Sequence, residues 1–347
     1  MSGVTIYQVA KAAGVSPSTV SNLLNGRHGK MLPETRQRVE SAIKQLGYRP
    51  NRAARQLRTG RTKMIGLIVP SVANPFWGTF ARQLEAAALA EGFYVLLCNS
   101  ERDPVRERGY MEELWADGIR GVVLCSSLPT LDHVRPLVEQ GLNLVAFDRT
   151  AQPGDPDGVV NISTDNFLGT QLSTRHLLEL GHERIAFVAG SIGSVNRSER
   201  YRGFRDALEA AGIPDDQITA WSGDATSTFD DRDAAELGRV ASKELLEGPN
   251  PPTAIVAIND ICALGVCAGV RDCGLEVGSG VSVVGFDDIM LAQMAMPGLT
   301  TVRQPVSAMA EAAFATLRGR IDNEAAGGHS MLHRPELIVR ESSGPRP

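Results

Sequence analysis

Apolar side chains recur at helical spacing in three short blocks within residues 1–50. The first block places four apolar residues on one helix face: Ile6, Val9, Ala10 and Ala13. Gly14 interrupts this stripe. Ser16 then offers a hydroxyl that can cap a second helix, and Pro17 suits the first position of that helix. A third block covers 33–47. The pattern predicts three helices, the first two joined by a tight turn.

From Met64 onward, short apolar runs alternate with helical stretches. The runs typical of buried strands are Ile65–Val69, Phe93–Leu97, Val122–Cys125 and Leu144–Phe147, then Ile185–Ala189, Ala254–Ile258 and Val281–Val284. Helical stretches lie around Phe80–Ala90, Glu107–Asp117, Val134–Gln140, Glu199–Ala211, Asp231–Leu246 and Ile261–Asp272. This alternation indicates parallel sheets with helices on both faces. Because the strands form two sets, we expect an α/β body of two doubly wound parallel-sheet lobes with a cleft between them, ending in a frayed tail at 341–347.

Charge is distributed unevenly along the chain. Residues 1–63 contain twelve Lys and Arg against two acids, Glu34 and Glu40, a formal charge of +10. Since the whole chain carries −5, the remainder carries −15. A compact basic head on an acidic body indicates that the head alone binds a polyanion. A disordered basic tail is the alternative, but the strong helical patterning of the head argues against it.

Two helices joined by the turn at 13–16 have the geometry that presents a second helix to the DNA major groove. That helix covers Pro17–Leu24. Its exposed, forward-facing residues are predicted to be Pro17, Ser18, Ser21 and Asn22. Thr19 and Ser21 are also candidates for binding phosphate. Geometry and charge together predict an all-α, DNA-binding headpiece.

In the body, several polar residues directly follow predicted strands, where an α/β lobe places its ligand groups. They are Asp148, Asn259 and Asp287, and Arg200 opens the first long helix of the second lobe. Carboxylates accept hydrogen bonds from hydroxyls while Arg and Asn donate them, which suits a polyhydroxylated or polar ring ligand. Phe76 and Trp77 could supply an apolar wall. The alternative role for each polar residue is a helix cap or a salt bridge between lobes.

Other classes of protein find little support in the sequence. No apolar run reaches the roughly 18 residues that a membrane helix needs, and the N-terminus lacks a secretion signal, so a cytoplasmic location is expected. Five cysteines without a C-x-x-C pair are expected to be buried thiols. The motifs G-x-G-x-x-G after the first strand, G-x-x-x-x-G-K-[ST], G-x-S-x-G and H-E-x-x-H are absent, so nothing supports a Rossmann-type enzyme, a metal or a cofactor. His182 is interpreted as a turn residue before a strand.

The head resembles a known family in two long runs. VTIYQVAKAAGVSPSTVSNLLNG (Val4–Gly26) and TRQRVESAIKQLGYRPNRAARQL (Thr35–Leu57) resemble the headpiece of LacI-family repressors. The resemblance implies that Asn51–Arg58 is a hinge that folds into a short helix on operator DNA, with Leu57 wedged into the minor groove. Such a wedge unstacks a base step and kinks the duplex while arginines contact the backbone. Without the resemblance, Leu57 would be an ordinary helix-packing leucine.

The resemblance also implies which residues contact DNA. They are Thr5, Ser16, Pro17, Ser18, Thr19, Ser21, Asn22, Asn25, Tyr48, Asn51, Arg52, Ala54, Arg55 and Leu57. Two positions depart from the family. Asn22 stands where the family usually has Arg, and Asn prefers adenine where Arg prefers guanine, so the half-site is expected to differ at that base. Leu32 replaces the usual capping hydroxyl, so the third helix is expected to start less firmly.

In the body, the resemblance rests on short landmarks in the family's order. Among them are Asn74-Pro75-Phe76, Phe147-Asp148-Arg149, Ala257-Ile258-Asn259-Asp260 and Leu299–Pro305. They imply the two-lobed fold of periplasmic sugar-binding proteins, which close on a ligand held in the cleft. The implied ligand-binding residues are Phe76, Trp77, Asp148, Arg200, Asn259, Asp287 and Gln304, with a sugar or sugar derivative as effector. Ala225 stands where many relatives have an aromatic ring that stacks on the ligand, so a nucleoside, a purine or a controlling protein partner remains an alternative.

The expected organisation follows from the same resemblance. We expect a helix–turn–helix headpiece at 1–48, a hinge at 49–63 and an effector-binding core at 64–347, with an N-lobe of about 64–161 and 292–323 and a C-lobe of about 162–291 and 324–341. The expected function is a repressor of transcription that binds a pseudo-palindromic operator as a homodimer, because one helix–turn–helix reads too few base pairs. Tetrameric relatives use an additional leucine-rich C-terminal helix, which is not found here. A transport-type solute-binding protein shares the body fold but not the basic head.

Overall fold

The computed structural model describes residues 4–24, 31–48, 62–126, 128–222, 233–322 and 330–347. The chain divides into two compact units, Met1–Thr62 and Lys63–Pro347.

The first unit contains three described helices, as the sequence predicts: α1 (Ile6–Ala13), α2 (Pro17–Leu24) and α3 (Pro33–Leu46). The backbone N–H of Thr5 donates to Oε1 of Gln8 at 2.7 Å and so caps α1. The helix ends at Gly14, whose φ of 64° is the left-handed conformation that glycine adopts without strain. α3 begins after Leu32 without a side-chain cap. The three helices close on a small apolar core formed by Val9, Ala10, Ala13, Val20, Val39 and Ala42.

The second unit is built from alternating strands and helices. Its strands are β1 (Met64–Val69), β2 (Tyr94–Asn99), β3 (Gly121–Leu124), β4 (Asn143–Phe147), β5 (Val160–Thr164), β6 (Ile185–Val188), β7 (Thr219–Trp221), β8 (Ala254–Ala257), β9 (Ser282–Asp287), β10 (Thr300–Arg303), β11 (Met331–His333) and β12 (Glu336–Ile338). Its α-helices are α4 (Pro75–Ala90), α5 (Pro104–Ala116), α6 (Arg135–Glu139), α7 (Asn166–Glu179), α8 (Val195–Ala210), α9 (Ala234–Glu247), α10 (Asp260–Asp272), α11 (Met290–Met294) and α12 (Val306–Ile321).

These strands form two six-stranded sheets. The first has the order β11-β5-β4-β3-β1-β2 and is parallel throughout. The second has the order β12-β10-β9-β8-β6-β7 and is parallel except for β12, which runs antiparallel to β10. Successive residues of β1, β3 and β4 enter two separate apolar clusters, one with α4 and α12 and the other with α5 and α6. Helices therefore cover both faces, and the prediction of two doubly wound lobes is confirmed.

The chain passes between the lobes three times, after β5, after β10 and after β11. This differs from the lobe boundaries expected from the sequence. The expected N-lobe included 292–303, but β10 pairs with β9 in the second sheet. The expected C-lobe included 331–333, but β11 pairs with β5 in the first sheet. Both segments are short strands. Which sheet each one joins depends on pairing with strands that are distant in the sequence, and the local sequence pattern does not predict that pairing.

The C-terminal tail is packed against the second lobe, so the expectation of a frayed end was wrong. Ser342 is fully buried, and its carbonyl accepts a hydrogen bond from the backbone of Val283 at 2.7 Å. His182 precedes β6 as expected, but its ring is buried rather than placed at a surface turn. The ring bonds to Thr253 Oγ1 at 2.8 Å and to the Gly344 carbonyl at 3.0 Å, and so ties the tail down.

Candidate functional site

A polar cavity lies between the lobes, at the carboxyl ends of the strands. From the first lobe it is lined by residues that follow β1 to β4, chiefly Asn74, Phe76, Trp77, Arg102, Ser126 and Asp148. From the second lobe it is lined by residues that follow β6, β8 and β9, chiefly Asn196, Arg197, Arg200, Asn259 and Asp287. Parallel sheets place ligand groups at this edge because all their strands end there. Six of the seven candidate ligand residues therefore line one cavity.

An aromatic group forms one wall of the cavity. Asn74 caps α4 by accepting a hydrogen bond from the Phe76 backbone at 3.0 Å, which fixes where the helix begins. The rings of Phe76 and Trp77 meet edge to face, with centroids 4.9 Å apart. Behind them Phe80 stacks on Phe147 at 3.8 Å. The wall is held by its own packing, which suits it to contact an apolar ring face.

Arg200 is held rigidly on the other side of the cavity. Its Nε donates to Oδ1 of Asn166 at 2.8 Å, and its Nη1 donates to the Ile258 carbonyl at 2.7 Å. The guanidinium also lies 3.6 Å over the Phe286 ring. Nη2 is 3.8 Å from Oδ1 of Asp287. Arg200 therefore supports the second lobe as well as facing the cavity.

Asp148 is a buried carboxylate, and one of its two oxygens accepts no hydrogen bond from the described residues. Its φ of 57° is left-handed, an uncommon backbone conformation for a residue other than glycine. Oδ2 accepts a hydrogen bond from Asn196 of the opposite lobe at 2.5 Å, whereas Oδ1 has no partner among the described residues. Burial raises the pKa of Asp148, and the charge of Arg200 opposes that rise. The carboxylate thus bridges the lobes and also offers one acceptor to the cavity.

Asp287 and Asn259 also contact the protein itself. Burial raises the pKa of Asp287 well above its usual range, although the charge of Arg200 acts against this. Gln304 donates to Oδ1 of Asp287 at 2.7 Å. Asn259 caps α10 by accepting a hydrogen bond from the Cys262 backbone at 2.9 Å, so the capping role considered for it is present.

Gln304 is the candidate ligand residue that does not line this cavity. It lines a neighbouring cavity of about 430 Å³ on the far side of Asp287. Its own Oε1 has no hydrogen-bond partner in the part of the chain that the structure describes. Its hydrogen bond to Asp287 connects it to the polar cavity.

Eight further lining residues were missed in the sequence, among them Arg102, Ser126, Asn196 and Arg197. Ser126 follows β3 in the same way that Asp148 follows β4, so the rule of strand ends would have found it. Asn196 and Arg197 lie one helical turn before Arg200 on α8, and residues three or four apart share a helix face. The space open to water-sized molecules in the cavity is about 30 Å³, enough for only a few water molecules. A sugar-sized ligand therefore enters only if the lobes separate.

The first unit contains the candidate nucleic-acid interface. Ser16, Ser18 and Asn22 are exposed, while Pro17 and Thr19 are half-buried. Hydroxyl contacts join Ser16 to Ser18 at 2.7 Å and to Thr19 at 2.9 Å, which orders the start of α2. Thr5 is exposed and Tyr48 is half-buried. Apart from Tyr48, which follows α3, these side chains lie in or beside α1 and α2, at the surface expected to face DNA.

The prediction that Ser21 belongs to this exposed interface was wrong. It was expected to be exposed but is only 7% exposed. The reason is helical geometry, because Ser21 adjoins the buried Val20 and lies one turn from Pro17 and Leu24 on the side that packs into the unit. Six other candidates lie outside the described residues: Asn25, Asn51, Arg52, Ala54, Arg55 and Leu57.

The described residues contain neither a membrane-spanning helix nor a cluster of metal ligands. None of their helices is both long enough and apolar enough to cross a membrane. No group of three or more His, Cys, Asp or Glu in those segments could hold a metal ion. All five cysteines are free, three of them buried and two half-buried.

A helix–turn–helix unit joined in one chain to a two-lobed unit with a polar cleft defines the class of ligand-responsive, DNA-binding regulators. The sequence matches "Bacterial regulatory proteins, lacI family" over residues 5–51 and "Periplasmic binding protein-like domain" over residues 174–343. It is 34% identical over 343 residues to the HTH-type transcriptional regulator DegA of Bacillus subtilis strain 168, which covers 98% of both chains. The chain belongs to the LacI family of transcriptional regulators, and its relatives named here are regulators rather than enzymes.

Solved structures agree with this assignment. The lac repressor dimer bound to operator and the anti-inducer ONPF matches with a TM-score of 0.85 at 27% identity, covering 99% of this chain and 100% of that chain. The complex of the transcriptional regulator CelR with cellobiose matches with a TM-score of 0.69 at 32% identity, covering 98% of this chain and 99% of that chain. The expected fold class is thereby confirmed.

Proposed function

We propose that this LacI-family regulator is a repressor that binds a pseudo-palindromic operator as a homodimer, with a sugar or sugar derivative in the interlobe cavity controlling its affinity for DNA. The observation that carries the proposal is the unpartnered, buried Oδ1 of Asp148 beside a rigid Arg200. A buried acceptor without a donor costs free energy of about 1–3 kcal/mol, and a ligand hydroxyl would remove that cost. The complex of CelR with cellobiose supports a sugar.

Two hydrogen bonds between the lobes give a basis for control by a ligand. Asn196 donates to Asp148 at 2.5 Å, and Thr150 donates to Glu199 at 2.5 Å. In each pair one partner belongs to the first lobe and the other to the second. A ligand changes the lobe angle only through its different affinities for the open and closed arrangements. In the proposed mechanism this movement alters the separation of two hinge segments in the dimer, and so favours or disfavours paired hinge helices on DNA.

Two exposed apolar surfaces support the homodimer. Strand β2 lies at the edge of the first sheet, and three of its large apolar side chains are exposed: Tyr94, Leu96 and Leu97. In the second lobe Met290, Met294 and Met296 are also exposed. An uncovered apolar edge strand favours association. A second copy of the chain fits best because two heads are needed to read two half-sites.

On DNA, α2 is proposed to enter the major groove. Ser16, Pro17, Ser18 and Asn22 would read or position the bases there, with Asn22 directed at an adenine. Thr5, Thr19, Asn25 and Tyr48 would position the head on the backbone. Asn51, Arg52, Ala54 and Arg55 would form the hinge helix that carries the Leu57 wedge. The buried Ser21 contributes little to contact with DNA.

The proposal is tested by selecting operators from a random duplex library and measuring binding by fluorescence anisotropy. We expect enrichment of a two-fold symmetric site and a steep decline in affinity with salt. Candidate sugars, sugar phosphates, nucleosides and purines are then screened by thermal shift, because a ligand specific to the folded state raises its melting temperature. A hit that also changes operator affinity supports the proposal. Failure to enrich any symmetric site contradicts it.

A pair of variants separates the two functions. Leu57→Ala is expected to weaken operator binding at least tenfold and to leave ligand binding unchanged. Arg200→Lys keeps the charge but not the planar fork that holds Asn166 and the Ile258 carbonyl. It is expected to weaken ligand binding while operator affinity without ligand stays near that of the parent. If Leu57→Ala also abolished ligand binding, the division of labour between head and body would be wrong.

A further inference from the structure

Two hydrogen bonds between the lobes lie side by side. In the first lobe, Asp148 and Thr150 are two residues apart and follow β4. Their partners in the second lobe, Asn196 and Glu199, are three residues apart near the start of α8 and so share one face of that helix. Both bonds are 2.5 Å long. One short segment of the first lobe therefore meets one helix face of the second lobe at two points.

The two bonds differ in their relation to the ligand cavity. Asp148 and Asn196 both line the polar cavity, so a ligand can compete for their bond. Thr150 and Glu199 lie outside its lining. The bond between Thr150 and Glu199 can therefore persist when the cavity is occupied, and it joins the lobes equally well when the cavity holds only water.

The loop after β4 orients the Thr150 hydroxyl toward the second lobe. Nε2 of Gln152 donates to Oγ1 of Thr150 at 3.2 Å, so the single hydroxyl proton is left for Glu199. The backbone N–H of Gln152 in turn donates to Oδ2 of Asp155 at 2.8 Å. Asp155 is paired at 3.0 Å with Arg149, which is only 1% exposed. Because the loop is held in place in this way, little conformational freedom is lost when Thr150 meets Glu199.

Glu199 depends on this hydroxyl most when the lobes are together. Its side chain is half-buried in the present arrangement. Burial raises the pKa of Glu199, the hydrogen bond from Thr150 opposes that rise, and the charges of Asp148 and Asp165 add to it. Separation of the lobes would return the Glu199 carboxylate to water, which replaces the lost hydrogen bond. Loss of the Thr150 hydroxyl should therefore penalise the closed arrangement and leave the open one nearly unaffected.

We propose that Thr150 and Glu199 form a latch that holds the two lobes together whether or not a ligand occupies the cavity. The latch would set the fraction of molecules whose cleft is open to a ligand, and with it the apparent affinity for that ligand. This inference goes beyond the proposed function, because it concerns the two lobes alone and can be tested without effector or DNA.

Two buried cysteines allow opening of the cleft to be measured separately from unfolding. Cys125 lines the cavity and is 2% exposed. Since the cavity has room for only a few water molecules, iodoacetamide reaches this thiol only after the lobes separate, and the alkylation rate follows the open fraction. Cys262 is 0% exposed on α10, away from the cavity lining, so its alkylation reports unfolding of the second lobe. Tandem mass spectrometry of peptides measures both rates in one sample of the full chain.

Thr150→Val removes the hydroxyl and keeps the shape of the side chain, and Glu199→Ala removes the acceptor. Each is expected to raise the alkylation rate of Cys125 about tenfold, because a hydrogen bond to a charged group shifts an equilibrium by a factor on the order of ten or more. The rate at Cys262 should not change. The double variant should react no faster at Cys125 than the faster single variant, since both substitutions remove the same bond. Thr150→Ser is the matched control, and it should stay within about twofold of the parent.

Three results would overturn the latch. One is an unchanged Cys125 rate in Thr150→Val, and another is a double variant in which the two single effects multiply. The third is an equal acceleration at Cys125 and Cys262, because the bond would then stabilise the folded body rather than the closed cleft. Operator binding by Thr150→Val separates this inference from the proposed function. Faster reaction of Cys125 with unchanged operator affinity would support the latch and contradict control of the head by lobe movement.

Discussion

Gly203 marks the point where α8, the helix that carries Asn196, Arg197 and Arg200, lies closest to α7. A Cβ atom at Gly203 would lie 2.1 Å from the carbonyl oxygen of Phe167 on α7. Close carbon–oxygen contacts normally begin near ~3.3 Å. Gly203→Ala therefore requires the helices to separate by about 1 Å, and overpacking of this kind costs about 1–3 kcal/mol. The obstacle is backbone rather than a flexible side chain, so the expected loss in unfolding free energy is ~3 kcal/mol, at the upper end.

The same displacement affects the ligand site. The bonds from Arg200 to Asn166 and to the Ile258 carbonyl are 2.8 and 2.7 Å long, and a movement of about 1 Å would lengthen them beyond hydrogen-bonding range. We therefore expect Gly203→Ala to weaken effector binding at least tenfold. Operator binding without effector should change much less, because the head is a separate unit.

Gly109 in α5 provides the matched control. A Cβ atom there meets nothing within 4 Å. Replacing an interior helix glycine with alanine in open space stabilises by about 0.5–1 kcal/mol. Urea unfolding followed by circular dichroism should thus move the two variants in opposite directions. If Gly203→Ala is as stable as Gly109→Ala, the close approach of α7 and α8 does not constrain the fold.

Three other predictions concern pH, the tail and assembly. Burial raises the pKa of Asp260 from 3.8 to about 6, so the contribution of its neutral form to the free energy of unfolding is complete at low pH and is lost as the pH rises through 6. Relative to Asp260→Asn, the parent should lose roughly 1.5 kcal/mol of unfolding free energy between pH 5 and 8, measured by urea unfolding. Parallel pH profiles of the two proteins would refute this. His182→Ala should lower the free energy of unfolding by about 2–3 kcal/mol, because it leaves Thr253 and the Gly344 carbonyl without their partner. Hydrogen exchange should then show the C-terminal tail opening, whereas an unchanged tail would mean that the other contacts of Ser342 hold it. Leu97→Glu should convert a dimer to a monomer in analytical ultracentrifugation and weaken operator binding, whereas a dimer that persists would remove β2 from the interface.

The sequence predicted most of the elements that bury apolar residues, although it missed α12 and β5. It also missed a helix whose buried positions are largely polar. Helix α7 was not predicted, although its period is regular, because its buried positions are largely polar: Asn166, Thr170, Gln171, Ser173 and Thr174. A search for apolar periodicity cannot detect such a helix. Its close approach to α8 at Gly203 explains the composition, since two backbones in near contact leave no room for large side chains. β10 to β12 were missed for another reason, since each has only three or four residues.

The site was predictable to the extent that it follows from parallel topology. Because strands end at one edge, Asp148, Asn259 and Asp287 could be placed at the cleft from the positions of their strands alone. Their partners could not, because Asp148 meets Asn196 across 48 residues and between lobes. The sequence therefore identified acceptors and donors for a ligand without showing which of them the protein already uses.

Arg200 illustrates why this distinction matters for mutagenesis. The sequence suggested a ligand donor, yet its described hydrogen bonds are to Asn166 and the Ile258 carbonyl, and its Nη2 lies 3.8 Å from Oδ1 of Asp287. Truncation to alanine would leave buried carboxylates without that charge, which costs about 3–5 kcal/mol when a buried pair is broken. A lost ligand response in Arg200→Ala would then report an unstable lobe as readily as a lost contact. Arg200→Lys keeps the charge and removes the fork, so a weaker ligand response at preserved stability would assign Arg200 to the ligand itself.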